Sequence, residues 1–81
     1  SMEFYDIGEE DKVAAGEYVL HKPTEEVVLC GIFDREKNQI QALNGGRLFG
    51  DVIENFQKIS MPKKEIYRNR GSRGCGGCKK L

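Results

Sequence analysis

Glu26-Val27-Val28-Leu29-Cys30-Gly31-Ile32-Phe33 is the stretch on which the fold turns. Its β-branched and aromatic side chains suit a pleated strand. Apolar residues occupy both alternating sets of positions, so both faces of this strand are expected to be covered, as in the centre of a sheet. Cys30 belongs in the core on this reading, because free cysteine is among the most buried residue types. Phe33 is expected there with it. Gly31, near the middle, lets one long strand serve two halves of a strongly bent sheet.

Working outward, Asp34-Arg35-Glu36-Lys37-Asn38 reads as a polar hairpin loop, and Gln39-Ile40-Gln41-Ala42-Leu43 alternates as a half-buried strand does. Asn44-Gly45-Gly46 marks a tight turn, since these residues tolerate the positive φ that such hairpins require. Arg47 to Val52 follows as a strand, with Gly50 expected at a bulge or sharp bend. Val52 to Phe56 reads as a short turn, and Gln57-Lys58-Ile59-Ser60 as a last strand that closes the sheet. On the other side, Glu17 to His21 is a strand turned by Pro23-Thr24. Glu9 to Ala15 carries acids first and alanines last, which predicts one or two helical turns stopped by Gly16.

These elements predict an all-β fold: a small Src-homology-three-like or Tudor-like barrel of four to five strands, with a short N-terminal helical element and an extended C-terminal tail. Residues 1–61 form the barrel domain and residues 62–81 the tail. A chain of 81 residues leaves room for one domain with a small core. Ser1 ahead of Met2 reads as a remnant of tag removal, which makes Met2 the expected natural start.

Gly16-Glu17-Tyr18-Val19-Leu20-His21-Lys22-Pro23-Thr24-Glu25-Glu26 resembles the opening of certain small bacteriophage-encoded β-barrel proteins, over about a fifth of the chain. The resemblance implies a barrel and a phage origin, hence the host cytoplasm. It brings no catalytic motif, and the cysteine-bearing tail departs from it.

The formal charge of zero hides a division. Residues 1–61 hold 6 Lys/Arg against 12 Asp/Glu, a net of −6, whereas residues 62–81 hold 7 Lys/Arg against Glu65 alone, a net of +6. An arm of this kind either finds an anionic partner or folds back on its own acidic body. Lys63, Lys64, Arg68, Arg70, Arg73, Lys79 and Lys80, with Tyr67 among them, form the candidate ligand-binding set. Cations neutralise phosphate, and a ring can stack a base. The acidic body would repel a long polyanion, so a short RNA, a nucleotide or an acidic protein surface fits better. The alternative is an arm that only solvates the chain.

Cys75-Gly76-Gly77-Cys78 has the spacing that lets two sulfurs share a metal or each other. Tetrahedral zinc wants four ligands, and the chain otherwise holds only Cys30 and His21, so a zinc site would join two tails in a homo-oligomer or draw in a donor such as His21 from the body. A thiol–disulfide redox arm and an inert end are the other readings, although no βαβ pattern supports a thioredoxin-like site. His21 before Lys22-Pro23 is expected to hydrogen-bond beside the turn rather than to ligate or catalyse. No Ser-His-Asp arrangement, H-E-x-x-H or Walker loop appears in the sequence, and no catalytic residue is assigned. No apolar run approaches the roughly 20 residues that span a bilayer, and the acidic start does not read as a signal peptide, so a cytoplasmic, non-membrane protein is expected.

The expected function is therefore non-enzymatic binding of an anionic ligand by a basic arm on a barrel scaffold. The rival is an inhibitor or assembly factor that docks on a host or virion protein and oligomerises through the paired cysteines.

Overall fold

The computed structural model describes residues 2–60. Six strands succeed one another: β1 (Glu3–Asp6), β2 (Tyr18–His21), β3 (Glu26–Asp34), β4 (Gln39–Asn44), β5 (Arg47–Val52) and β6 (Phe56–Ser60), with a single 3-10 turn, Ile53–Asn55, between the last two. All pairs are antiparallel, in the order β1-β6-β2-β3-β4-β5. The all-β expectation is met by an antiparallel sheet of six strands rather than four or five. Among the described residues β1 and β5 each pair on one side only, so no ladder closes the sheet.

The turns follow their residues. Gly45 and Gly46 take φ of 59° and 82°, which matches the twist of the β4–β5 hairpin. Asn38 adopts φ 55° at the end of the β3–β4 turn, where Asp34 Oδ1 accepts from the Lys37 amide. Gly16 also has positive φ, 90°, but it ends no helix.

The helical element expected over Glu9–Ala15 does not form. Asp11 instead caps a tight turn, with its Oδ2 accepting from the Gly8 amide and its own amide donating to the Gly8 carbonyl. Arg35 then reaches across from the β3–β4 turn and donates to the carbonyls of Gly8 and Asp11. The Ala14 amide is taken by Glu17 Oε1. Side chains and a distant guanidinium thus use the backbone groups that a first helical turn would need. The segment runs extended and drops Val13, 4% exposed, into the core.

That core is one cluster on the concave face of the bent sheet: Val13, Val19, Val28, Cys30, Ile40, Ala42, Ile53 and Phe56. Cys30 is buried as expected, and burial, with Glu17 second, raises its thiol pKa above the usual range. Phe33 is not a core residue; it packs half-buried against the cluster beneath the Arg35 guanidinium, 5.1 Å from the ring centroid. The bulge at Gly31, where the β3–β4 register shifts between Cys30 and Ile32, turns Phe33 inward opposite Ile40 and leaves Ile32 outward. Phe33 stands one residue before the end of β3, beside the polar β3–β4 turn, so a guanidinium lies over its ring and burial is only partial. Gly50, expected at a bulge, keeps unbroken register opposite Gln41. Its lack of a side chain makes room for the Gln41 amide, 2.8 Å from where a Cβ would sit.

Candidate functional site

Sheet curvature brings β2 and β5, three places apart in strand order, into side-chain contact. His21 ends β2 facing inward, 6% exposed, opposite Phe56 in register. Its ring lies 5.0 Å from both Phe49 and Phe56. A polar ring in this apolar setting must find partners, and it does. Nε2 donates to Asp51 Oδ2 on β5 at 2.8 Å, and Nδ1 meets the Thr24 hydroxyl in the β2–β3 turn at 2.8 Å. Asn55 Nδ2 donates to the same Asp51 oxygen at 3.0 Å. The His21 hydrogen bond, then that of Asn55, holds the Asp51 carboxyl below the usual carboxylate range.

The expectation of a hydrogen-bonding histidine is met, but the role is larger than a turn contact. The structure also lines up a hydroxyl, an imidazole and a carboxylate, Thr24–His21–Asp51, which the sequence order concealed. The ring packs against two phenyl groups that themselves stack 6.3 Å apart, and both its nitrogens are occupied. In that state it pins β2, the following turn and β5 to one another.

The pin has a pH signature. Because the folded-state pKa of Asp51 is lowered, its stabilisation is complete above the ordinary carboxylate value and is lost as pH falls through the folded value. Thermal stability is expected to drop below about pH 4, and Asp51→Asn should flatten that decline. Melting curves between neutral and acidic pH check this, with Asp6 and Glu54, lowered chiefly by Gln57 and Asn38 respectively, supplying the remainder.

Beside the pin, a cavity of about 260 Å³ is lined by His21, Thr24, Glu26, Asn44, Arg47 and Phe49, with Leu48 at its margin. Asn44 donates to Glu26 Oε1 at 2.7 Å across its mouth. No group of three or more metal-ligating side chains occurs among the described residues.

The opposite, outward face carries an apolar row among Gln39, Gln41 and Gln57. Strict alternation puts Tyr18, Leu29, Leu43 and Leu48 on it, and the register joins them into one row across β2, β3, β4 and β5. Ile59 continues the row on β6, one residue past Lys58, which pairs with Val19, and Phe4 pairs with Ile59 on β1. Tyr18 and Leu48 are 60% and 64% exposed. The expectation that β3 is covered on both faces is therefore corrected: Val27 and Ile32 of its outward side are exposed. The only charged residues at outward positions of the six strands are Asp6 and Asp34; no lysine or arginine is among them.

The sequence reading singled out no exposed apolar row, because a continuous row needs the register of five strand pairs, which the sequence does not display. The residues expected to bind an anion, Lys63, Lys64, Tyr67, Arg68, Arg70, Arg73, Lys79 and Lys80, lie outside the described residues, as do Cys75 and Cys78. No helix of the described residues is long and apolar enough to cross a membrane. Comparison with family models, with curated proteins and with solved structures matched none of them to this chain.

Proposed function

We propose that the chain is a non-enzymatic binding module in which residues 62–81 form a basic arm for a short anionic ligand and residues 1–61 form its scaffold. One observation carries the reading: the body commits half of its own cations to contacts within itself. Lys58 bonds the Lys12 carbonyl and pairs with Glu17 at 3.2 Å, Lys22 pairs with Asp6 at 3.6 Å, and Arg35 holds two carbonyls of the Gly8–Asp11 turn. With half of its six cations so engaged and a net charge of −6, the body offers a polyanion little, while the arm concentrates seven cations in twenty residues. Affinity for phosphate arises from neutralising cations and releasing counter-ions, so it falls to the arm.

The scaffold reads as a partly open small barrel. β6 returns beside β2 after a 3-10 turn, and the sheet bends until His21 on β2 touches Asp51 on β5. The weak resemblance of residues 16–26 to phage barrel proteins favours a phage origin and a cytoplasmic site of action.

Replacing the seven arm cations by glutamine should abolish binding of a short oligoribonucleotide while residues 2–60 stay folded. Retained affinity would move the site to the body. A second reading, an assembly or inhibitor protein, is favoured by the exposed apolar row, since contiguous apolar surface rimmed by polar residues marks docking sites.

A further inference from the structure

The central strand β3 is apolar on both faces, and the described residues cover only one. Val13, Ile53 and Phe56 close the concave side, whereas in the outward row Tyr18, Leu43 and Leu48 are exposed and Leu29 between them is only half-buried by residues 2–60. We propose that this chain's own residues 62–81 dock on the outward face, with Ile66 and Tyr67 set against the apolar row and the surrounding cations directed to the acidic body.

Chemistry favours this occupant. The two charges at outward strand positions, Asp6 and Asp34, are both negative, so the face repels no cation and attracts a basic segment. In the arm, Ile66 and Tyr67 are the sizeable apolar pair, flanked by Lys63 and Lys64 before and Arg68 and Arg70 after. The body is −6 and the arm +6, and that attraction is available without any third component.

Connectivity favours it as well. The described chain ends at Ser60 on β6, one residue beyond Ile59, which itself stands in the row. Six residues of extended chain from Ser60 to Ile66 reach up to about 20 Å. The row's β4 position, Leu43, is three strands from β6 in the sheet order, about 14 Å away at the usual strand spacing. Ile66 and Tyr67 can therefore reach Tyr18, Leu29 and Leu43 without unpairing β6. Burying the row also explains why residues so apolar occupy outward positions of a domain with a core this small.

The contact does not depend on the arm's having a ligand. Where it has one, the same cations serve both, so occupancy of the arm uncovers the face; that coupling alone rests on the anion-binding reading.

The test uses the full chain with Asn69→Cys, Cys75→Ser and Cys78→Ser, carrying a nitroxide at position 69; Cys30 is 1% exposed and stays unlabelled. Amide resonances of Leu29, Leu43 and Leu48 should lose intensity several-fold relative to the reduced label. Adding Ile66→Ser and Tyr67→Ser should restore them while the amide spectrum still shows the folded sheet. Uniformly weak broadening would overturn the proposal. So would broadening that appears on isotope-labelled, nitroxide-free chains mixed with labelled ones, because a second copy would then be the occupant. Oligoribonucleotide binding, measured separately on the same chain, stands or falls without affecting either result.

Discussion

Phe56→Ala is expected to remove about 3–5 kcal/mol of stability, the usual cost of truncating a fully buried phenyl ring. Phe56 is 1% exposed, belongs to the single core cluster and supports the His21 ring at 5.0 Å. In a domain this small, total stability is on the order of 5–15 kcal/mol or less, so such a loss would leave much of the chain unfolded at physiological temperature. Phe33→Ala provides the internal comparison. Its ring is half-buried against the cluster and covered by a guanidinium rather than by core side chains, so the loss should be clearly smaller. Urea unfolding of the two variants measures both, and equal losses would contradict the partial burial of Phe33.

His21→Ala is expected to be comparably severe for a different reason. It leaves a void against Phe49 and Phe56 and leaves Asp51 without its imidazole donor, and each buried polar group left unsatisfied costs about 1–3 kcal/mol. Asp51 keeps Asn55 as a partner and is partly exposed, which moderates the electrostatic share. A double-mutant cycle with Asp51→Ala separates the two contributions, and a coupling of about 0.5–3 kcal/mol is expected for side chains in direct contact. A coupling near zero would mean that the ring acts by packing alone and that β2 and β5 are not held by the hydrogen bond.

Strands β2 to β6 were legible because their signals are local. Alternation in Gln39–Leu43, the Asn44-Gly45-Gly46 turn and the apolar run of β3 each need only neighbouring residues to be interpreted. β1 was not legible: Glu3-Phe4-Tyr5-Asp6 is four residues long, has no buried member, and exists because Phe4 finds Ile59 more than fifty residues later. The helix expected over Glu9–Ala15 failed for a related reason. Its propensity is weak, and the Arg35 guanidinium that captures the carbonyls of Gly8 and Asp11 comes from another element.

The candidate site divides the same way. That His21 hydrogen-bonds could be read from its place beside the turn, yet its partner Asp51 lies thirty residues away and is supplied only by sheet curvature. Charge division between body and arm is a property of composition and was visible at once. The apolar row is a property of register, and four of its residues become neighbours only when β2 to β5 are paired.

The central claim is that affinity for anions resides in residues 62–81, and fluorescence anisotropy of a short labelled oligoribonucleotide across a range of salt concentrations tests it most directly. For the intact chain, log affinity should fall linearly with log salt, at a slope of about −0.7 for each phosphate neutralised. The chain with glutamine at Lys63, Lys64, Arg68, Arg70, Arg73, Lys79 and Lys80 should show no measurable binding at any salt concentration. Binding by the intact chain that is insensitive to salt, or equal affinity in the neutralised chain, would contradict the account.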